Sequence, residues 1–161
     1  MQARGEAAWA VGAGRASWAA VGLGVIVGLG GFTVHYAEGL SYLGNDPRAC
    51  ANCHVMRDHY DSWVKGSHHH VATCNDCHLP RGFLEKYAAK VRNGWNHSRA
   101  FTLQNFPEPI RITPANLVEL QHNCIRCHRD MAGLIAGHVD AELGSARCTD
   151  CHRSAGHFEL R

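Results

Sequence analysis

The sequence predicts a mainly α-helical protein with much irregular structure: one N-terminal transmembrane helix, then a compact domain whose interior is not built of side chains. Three observations predict it. Residues 16–34 carry no charge. All eight cysteines of the 161-residue chain fall in C-x-x-C pairs, each followed by His. The stretches between the pairs are helical where they are periodic, and elsewhere rich in Gly, Asn, Asp, Ser and Pro.

The apolar stretch Ala16–Val34 (ASWAAVGLGVIVGLGGFTV) has 19 uncharged residues. As a helix it spans about 28 Å, close to the thickness of a hydrocarbon core. The competing reading is a cleaved signal peptide. The run is longer than the roughly 7–15 apolar residues of such a segment, and no clear small-x-small cleavage site precedes Tyr36. An uncleaved signal anchor is therefore expected over residues 1–36, with a second domain over 37–161. Arg4 and Arg15 lie on its N-terminal side. By the positive-inside rule the N-terminus is cytoplasmic and the larger domain periplasmic or otherwise extracytoplasmic. Gly22, Gly24, Gly28, Gly30 and Gly31 line the segment. They would permit self-association or packing on a membrane partner, although glycine is common in membrane helices in any case.

The cysteine motifs are Cys50-x-x-Cys53-His54, Cys74-x-x-Cys77-His78, Cys124-x-x-Cys127-His128 and Cys148-x-x-Cys151-His152. Four histidines in this position would arise by chance with a probability on the order of 10⁻⁵ to 10⁻⁴, and C-x-x-C-H is the attachment signature of c-type haem. The thiols add across the haem vinyl groups, and the imidazole that follows can ligate the iron. Zinc ribbons or a disulfide framework would use the cysteines and leave the four histidines unexplained. Four covalently attached haem c groups are expected, which requires an export compartment. A net charge of +2 gives no reason to expect a nucleic-acid partner. Roughly 30 residues per haem cannot enclose four macrocycles in a side-chain core, so the haems themselves should form the apolar interior.

The first cysteines stand at 50, 74, 124 and 148, giving intervals of 24, 50 and 24. Equal outer intervals suggest a duplicated two-haem unit, about 50–78 and 124–152, joined by a helical linker. Within the linker, Phe83, Leu84, Tyr87, Ala88 and Val91 recur at helical spacing, predicting a helix over Arg81–Phe101 that Gly94 interrupts. Asn105–Pro114 contains three prolines and should be irregular.

Four haems have eight axial positions, of which the motif histidines can fill four. Each repeat should add a distal His from between its motifs. These are one of His68, His69 and His70 in the first unit and His138 in the second; His157, close after the last motif, is a further candidate. His35 and His59 read as surface or propionate-contacting residues, and His122, two residues before Cys124, reads as surface. The first motif differs in continuing to Met56, which either competes for the iron or simply packs; a Met ligand raises the reduction potential relative to His.

With these residues in view, the chain resembles the NapC/NirT family of membrane-anchored multihaem cytochrome c quinol dehydrogenases. Within that family it is most similar to the NrfH-type tetrahaem small subunits of ammonia-forming cytochrome c nitrite reductase. The resemblance is carried by the anchor, Ser41–Pro47, Cys50-Ala-Asn-Cys-His-Val-Met56, Gly66-Ser-His68 and Ala72–Pro80. It continues through Lys90, Asn93-Gly94, His97-Ser98, Phe101-Thr102, Cys124–His128 and Cys148–His152 with His157. It implies menaquinol oxidation at the periplasmic face and electron transfer to a periplasmic multihaem nitrite reductase. It implies that Met56 rather than His54 ligates the first haem, beside an open face. It also implies that Lys90 and His97 belong to the quinol site, where an ammonium would bind a quinol oxygen and an imidazole would ligate weakly or take a proton. The alternative is an anchored electron relay with no quinol site of its own.

Overall fold

The structure is a computed structural model that describes residues 3–134 and 147–158, with side chains from residue 14 onward. His138 lies outside the described residues. The chain divides into two compact units, Met1–Leu40 and Ser41–Arg161.

The first unit is one helix, α1 (Ala3–Tyr36), 34 residues long. Its stretch Gly14–Tyr36 has a mean hydropathy of 1.7 over its most apolar window, none of which is buried. Those 23 residues extend the uncharged run of the sequence by a turn or less at each end and span about 34 Å, enough to cross a membrane. Helical bonding ends where Glu38 turns to a positive φ of 50°.

The second unit is built of short helices and tight turns. Three 3₁₀ turns (Gly39–Leu43, Pro47–Asn52 and His54–Met56) lead into α2 (Arg57–Val64). There follow α3 (Cys74–His78), α4 (Phe83–Leu103), α5 (Pro114–Cys127), α6 (Arg129–Ala132) and α7 (Cys148–Cys151). Among the described residues there is no strand.

Local chemistry accounts for the starts. Thr113 caps α5 through its hydroxyl, which accepts from Asn116 N–H, with Pro114 in the first turn where a missing N–H costs nothing. In α3 the carboxylate of Asp76 accepts from both the N–H and the hydroxyl of Thr73, at 2.9 and 2.7 Å. In α7 Asp150 accepts from the N–H of Arg147 at 2.9 Å. Both Asp residues sit inside a C-x-x-C spacer, so the haem motif carries its own helix-start signal.

The linker helix departs from expectation. It begins at Phe83 rather than Arg81, with Gly82 at its N-cap, and it runs through Gly94 to Leu103 without a break. A lone glycine costs only about 1 kcal/mol in a helix. Burial of Ala89 and the hydrogen bond from Asn116 to Asn93 at 3.2 Å hold the helix up to the glycine. Residues 104–113 are irregular, as the prolines predict.

The side-chain core is small. The buried apolar residues among those described are Ala49, Leu79, Ala89 and Ala132. Three alanines and a leucine cannot stabilise a unit of this length at roughly 25 cal/mol per Å² of buried apolar surface. This agrees with an interior supplied by haem.

Candidate haem-binding site

The cysteine motifs are built on two different backbones. In α3, at the end of α5 and in α7, the two cysteines lie on one helical turn, and the His that follows bonds its N–H back into that turn or ends it. Cysteines at i and i+3 then share a face, as two thiols reaching one macrocycle require. The first motif is broken. Its 3₁₀ turn ends at Asn52, and Cys53 is extended at φ −84°, ψ 116°. A second 3₁₀ turn carries His54 to Met56, with His54 exposed and Met56 half-buried.

The motifs touch in chain order. The Cys50 and Cys74 thiols share a hydrogen bond, which lowers Cys50 and raises Cys74. Burial raises Cys77, and the neighbouring Asp76 and Cys127 add to the effect. Burial also raises Cys124, to about 11, with Cys148 and Cys77 contributing. All eight thiols are unpaired, so no disulfide competes for them. Among the described residues, no group of three or more His, Cys, Asp and Glu side chains converges as a bare metal site would need.

Three buried or half-buried polar residues join the second, third and fourth motifs. Asn123 donates to the carbonyls of Cys77 and Leu79 at 2.9 and 3.0 Å. Arg126 donates to Asp76 O at 3.2 Å, while its Nε and second terminal nitrogen are buried without partners. Gln121 accepts from Cys148 N–H at 3.0 Å. The most extensive contact between motifs is that of α3 with α5, which crosses the 50-residue interval. Sequence reasoning missed all three side chains. They adjoin or lie within a motif, but nothing in their spacing marks which carbonyls they reach.

The histidines sort into pairs. The rings of His78 and His157 are 6.4 Å apart and nearly parallel, at 12°. Those of His68 and His128 are 6.0 Å apart at 74°. An iron held by two imidazole nitrogens at about 2 Å each separates the ring centres by roughly 6 Å, so both pairs fit axial ligation of haem. The C-terminal segment brings His157 in: Phe158 N–H donates to the hydroxyl of buried Ser62, and the His68 ring bonds Ala155 O at 2.7 Å. Burial pushes His78 down to about 4, so it is neutral, the form that binds metal.

Of the His68-His69-His70 run, His69 packs on Trp63 and His70 instead, with ring centres at 4.7 and 4.6 Å. His59, expected as a surface or propionate-contacting residue, is half-buried. Its ring lies 4.9 Å from His157, and its Nδ1 is buried without a partner. His35 and His122 are exposed.

Lys90 is held by backbone. Its ammonium donates to the carbonyls of Tyr42 at 2.7 Å, Leu43 at 3.2 Å and Gly44. Lys86 donates to Asn45 Oδ1 at 2.6 Å, and Asn75 bonds Gly44 O and Asn45. The segment before the first motif is thereby clamped to α4 and α3. Lys90 is near enough to lower Cys50 electrostatically, and burial together with the neighbouring Lys86 lowers Lys90 itself. His97 stands two turns further along the same side of α4, about 10 Å along the axis. It is exposed, yet local desolvation lowers its imidazole below the ordinary value.

The model of the NapC/NirT cytochrome c family, N-terminal region, matches residues 13–112. The cytochrome c-type protein NrfH of Wolinella succinogenes is 37% identical over 151 residues, covering 88% of this chain and 83% of that protein. The cytochrome c nitrite reductase subunit NrfH of Nitratidesulfovibrio vulgaris is 30% identical over 125 residues, covering 78% and 75%. A chain of the crystal structure of the cytochrome c nitrite reductase NrfHA complex bound to the HQNO inhibitor superposes with a TM-score of 0.59 at 24% identity, covering 89% of this chain and 87% of that one. The four attachment motifs, the paired imidazoles and the family match lead to one conclusion: this chain, with its N-terminal helix long and apolar enough to cross a membrane, belongs to the NapC/NirT cytochrome c family.

Proposed function

We propose that the chain is a membrane-anchored tetrahaem cytochrome c that oxidises menaquinol on the periplasmic side of the cytoplasmic membrane and delivers the electrons to a multihaem, ammonia-forming nitrite reductase. The observation that carries this reading is the broken first motif. The extended Cys53 takes His54 out of the register that the other motif histidines keep, which supports Met56 as the alternative ligand. An entry site with a weak or open axial position is what a quinol donor needs beside it. The names of the relatives support the nitrite reductase as partner. Arg4 and Arg15 support a cytoplasmic N-terminus.

The eight cysteines attach the haems, each of which supplies one-electron transfer when bound. Met56 would hold the iron at the first motif. His78 with His157 and His128 with His68 would hold two further irons, and His152 and His138 are the remaining candidate ligands. Lys90 exchanges one of its carbonyl partners for a quinol oxygen, and His97, neutral at pH 7, takes a proton from the quinol. A second reading, a relay with no quinol site, is favoured by one observation: the Lys90 ammonium already has three carbonyl acceptors for its three N–H donors.

The two readings separate in proteoliposomes. Lys90→Leu with full haem content by pyridine haemochrome should reduce menaquinol oxidation by about tenfold or more, while reduction by dithionite is unchanged. A wild-type chain that oxidises no menaquinol would establish the relay reading, and an unchanged rate in the variant would remove Lys90 from the quinol site.

A further inference from the structure

The second spacer residues of the four C-x-x-C motifs are Asn52, Asp76, Arg126 and Asp150. Asp76 and Asp150 fold back to cap the first turn of their own short helices. The third motif needs no such cap, because its cysteines lie in the last turn of α5, a helix that starts at Pro114. Its spacer position is free for another task, and it holds a cation. One terminal nitrogen of Arg126 donates to Asp76 O, in the spacer of the second motif, at 3.2 Å. The side chain therefore crosses from the third motif to the second. Its Nε and Nη1 are buried without partners, and among the described residues no carboxylate forms an ion pair with it. His59 Nδ1 is also buried without a partner. An imidazole can leave one nitrogen unprotonated and stay neutral, whereas a guanidinium carries its charge permanently. A buried charge with no counter-ion costs several kcal/mol, so an anion has to meet Arg126 in the assembled protein.

We propose that Arg126 forms an ion pair with a propionate of the haem on the second or the third motif, and that its charge raises the reduction potential of that haem. Haem c brings two carboxylates into an interior where the described residues offer Arg126 none. The second and third motifs are the two that the side chain touches. A guanidinium and a carboxylate are matched in charge and in planar geometry. Ferrous haem carries one positive charge fewer than ferric haem, so a fixed cation favours the reduced form. One unit charge about 10 Å away, at an effective dielectric constant near 20, changes a one-electron equilibrium by about tenfold or more. The inference rests on haem attachment and is independent of the quinol and of the reductase.

The test uses the full, haem-loaded chain in detergent, titrated potentiometrically and followed by electron paramagnetic resonance. The two candidate haems are told apart by their ring planes, which are 12° apart for His78 and His157 and 74° apart for His68 and His128. Nearly parallel and steeply crossed imidazoles give distinct ferric signals. Arg126→Gln should lower the midpoint of one of these two haems by about 59 mV or more, a tenfold change in its one-electron equilibrium. The signal positions should not move, because the axial ligands are untouched. Arg126→Lys keeps the charge and should recover at least half of the loss. Unchanged potentials overturn the proposal, and so does an equal fall in both variants, since packing and not charge would then be at work. A shift confined to the first or fourth haem overturns it as well. Should the variants load fewer haems, the wild type decides: an experimental structure of the haem-loaded chain should place a propionate oxygen about 3 Å from Nε or Nη1. A guanidinium met only by water and backbone carbonyls overturns the proposal. A wild-type chain with no haem on the second and third motifs removes the tetrahaem reading together with the proposal, whereas four haems with unchanged potentials in the variants remove the proposal alone.

Discussion

At the scale of single residues, the spacer positions of the C-x-x-C motifs do more than separate two thiols. Asp76 and Asp150 occupy equivalent spacer positions and accept the N–H at the start of their own helical turn. The Asp76 carboxyl is held below its usual range chiefly by the Thr73 backbone N–H, with the Thr73 hydroxyl adding to it and partial burial opposing. A depressed carboxylate pKa means that the bond contributes fully above the unfolded value near 4 and is lost as pH falls through the folded value. Asp76→Ala should therefore destabilise the haem domain by about 1 kcal/mol at pH 7. The deficit should shrink as pH falls below the unfolded value near 4, in thermal unfolding followed at the Soret band. Lys90 is legible in the sequence only through the family resemblance. Its carbonyl cage comes from residues 42–44, more than forty positions away, and no local pattern reports such a contact.

At the scale of elements, packing between motifs does not follow the equal 24-residue intervals. The α3–α5 contact is sealed by Asn123, whose amide satisfies two carbonyls at once. Asn123→Ala would leave both without that donor in a buried position, at a cost of roughly 1–3 kcal/mol. The expected outcome is a lower unfolding midpoint in denaturant with unchanged haem content. An unchanged midpoint would mean that the carbonyls find other donors. The α4 helix shows where sequence periodicity ran out. Its apolar spacing was readable from Phe83 to Val91, but a glycine at 94 reads locally as a break. The bond from Asn116 of α5 to Asn93 holds the turn just before the glycine, and the helix continues through it to Leu103.

At the scale of the whole molecule, the described residues of the second unit bury too little apolar surface to fold on their side chains alone. Covalent haem is then part of the fold and not an addition to it. Produced without haem attachment, the chain should keep the helix of its first unit while residues 41–161 lose most helical signal by circular dichroism and become protease-sensitive. A protease-resistant haem-free domain would contradict this.

The sequence alone determined the number and place of the attachment motifs, the apolar anchor and the oddity of Met56, because each depends on residues within a few positions of one another. Tertiary structure decided which His faces which. His157 reaches His78 across nearly eighty residues, and His68 rather than His69 turns to His128. His59, read from sequence as a surface or propionate-contacting group, lies against His157. Which rings meet is set by direction in space, and the chain sets it by returning its C-terminal segment onto Ser62 and His68. Spacing along the sequence carries no record of that return.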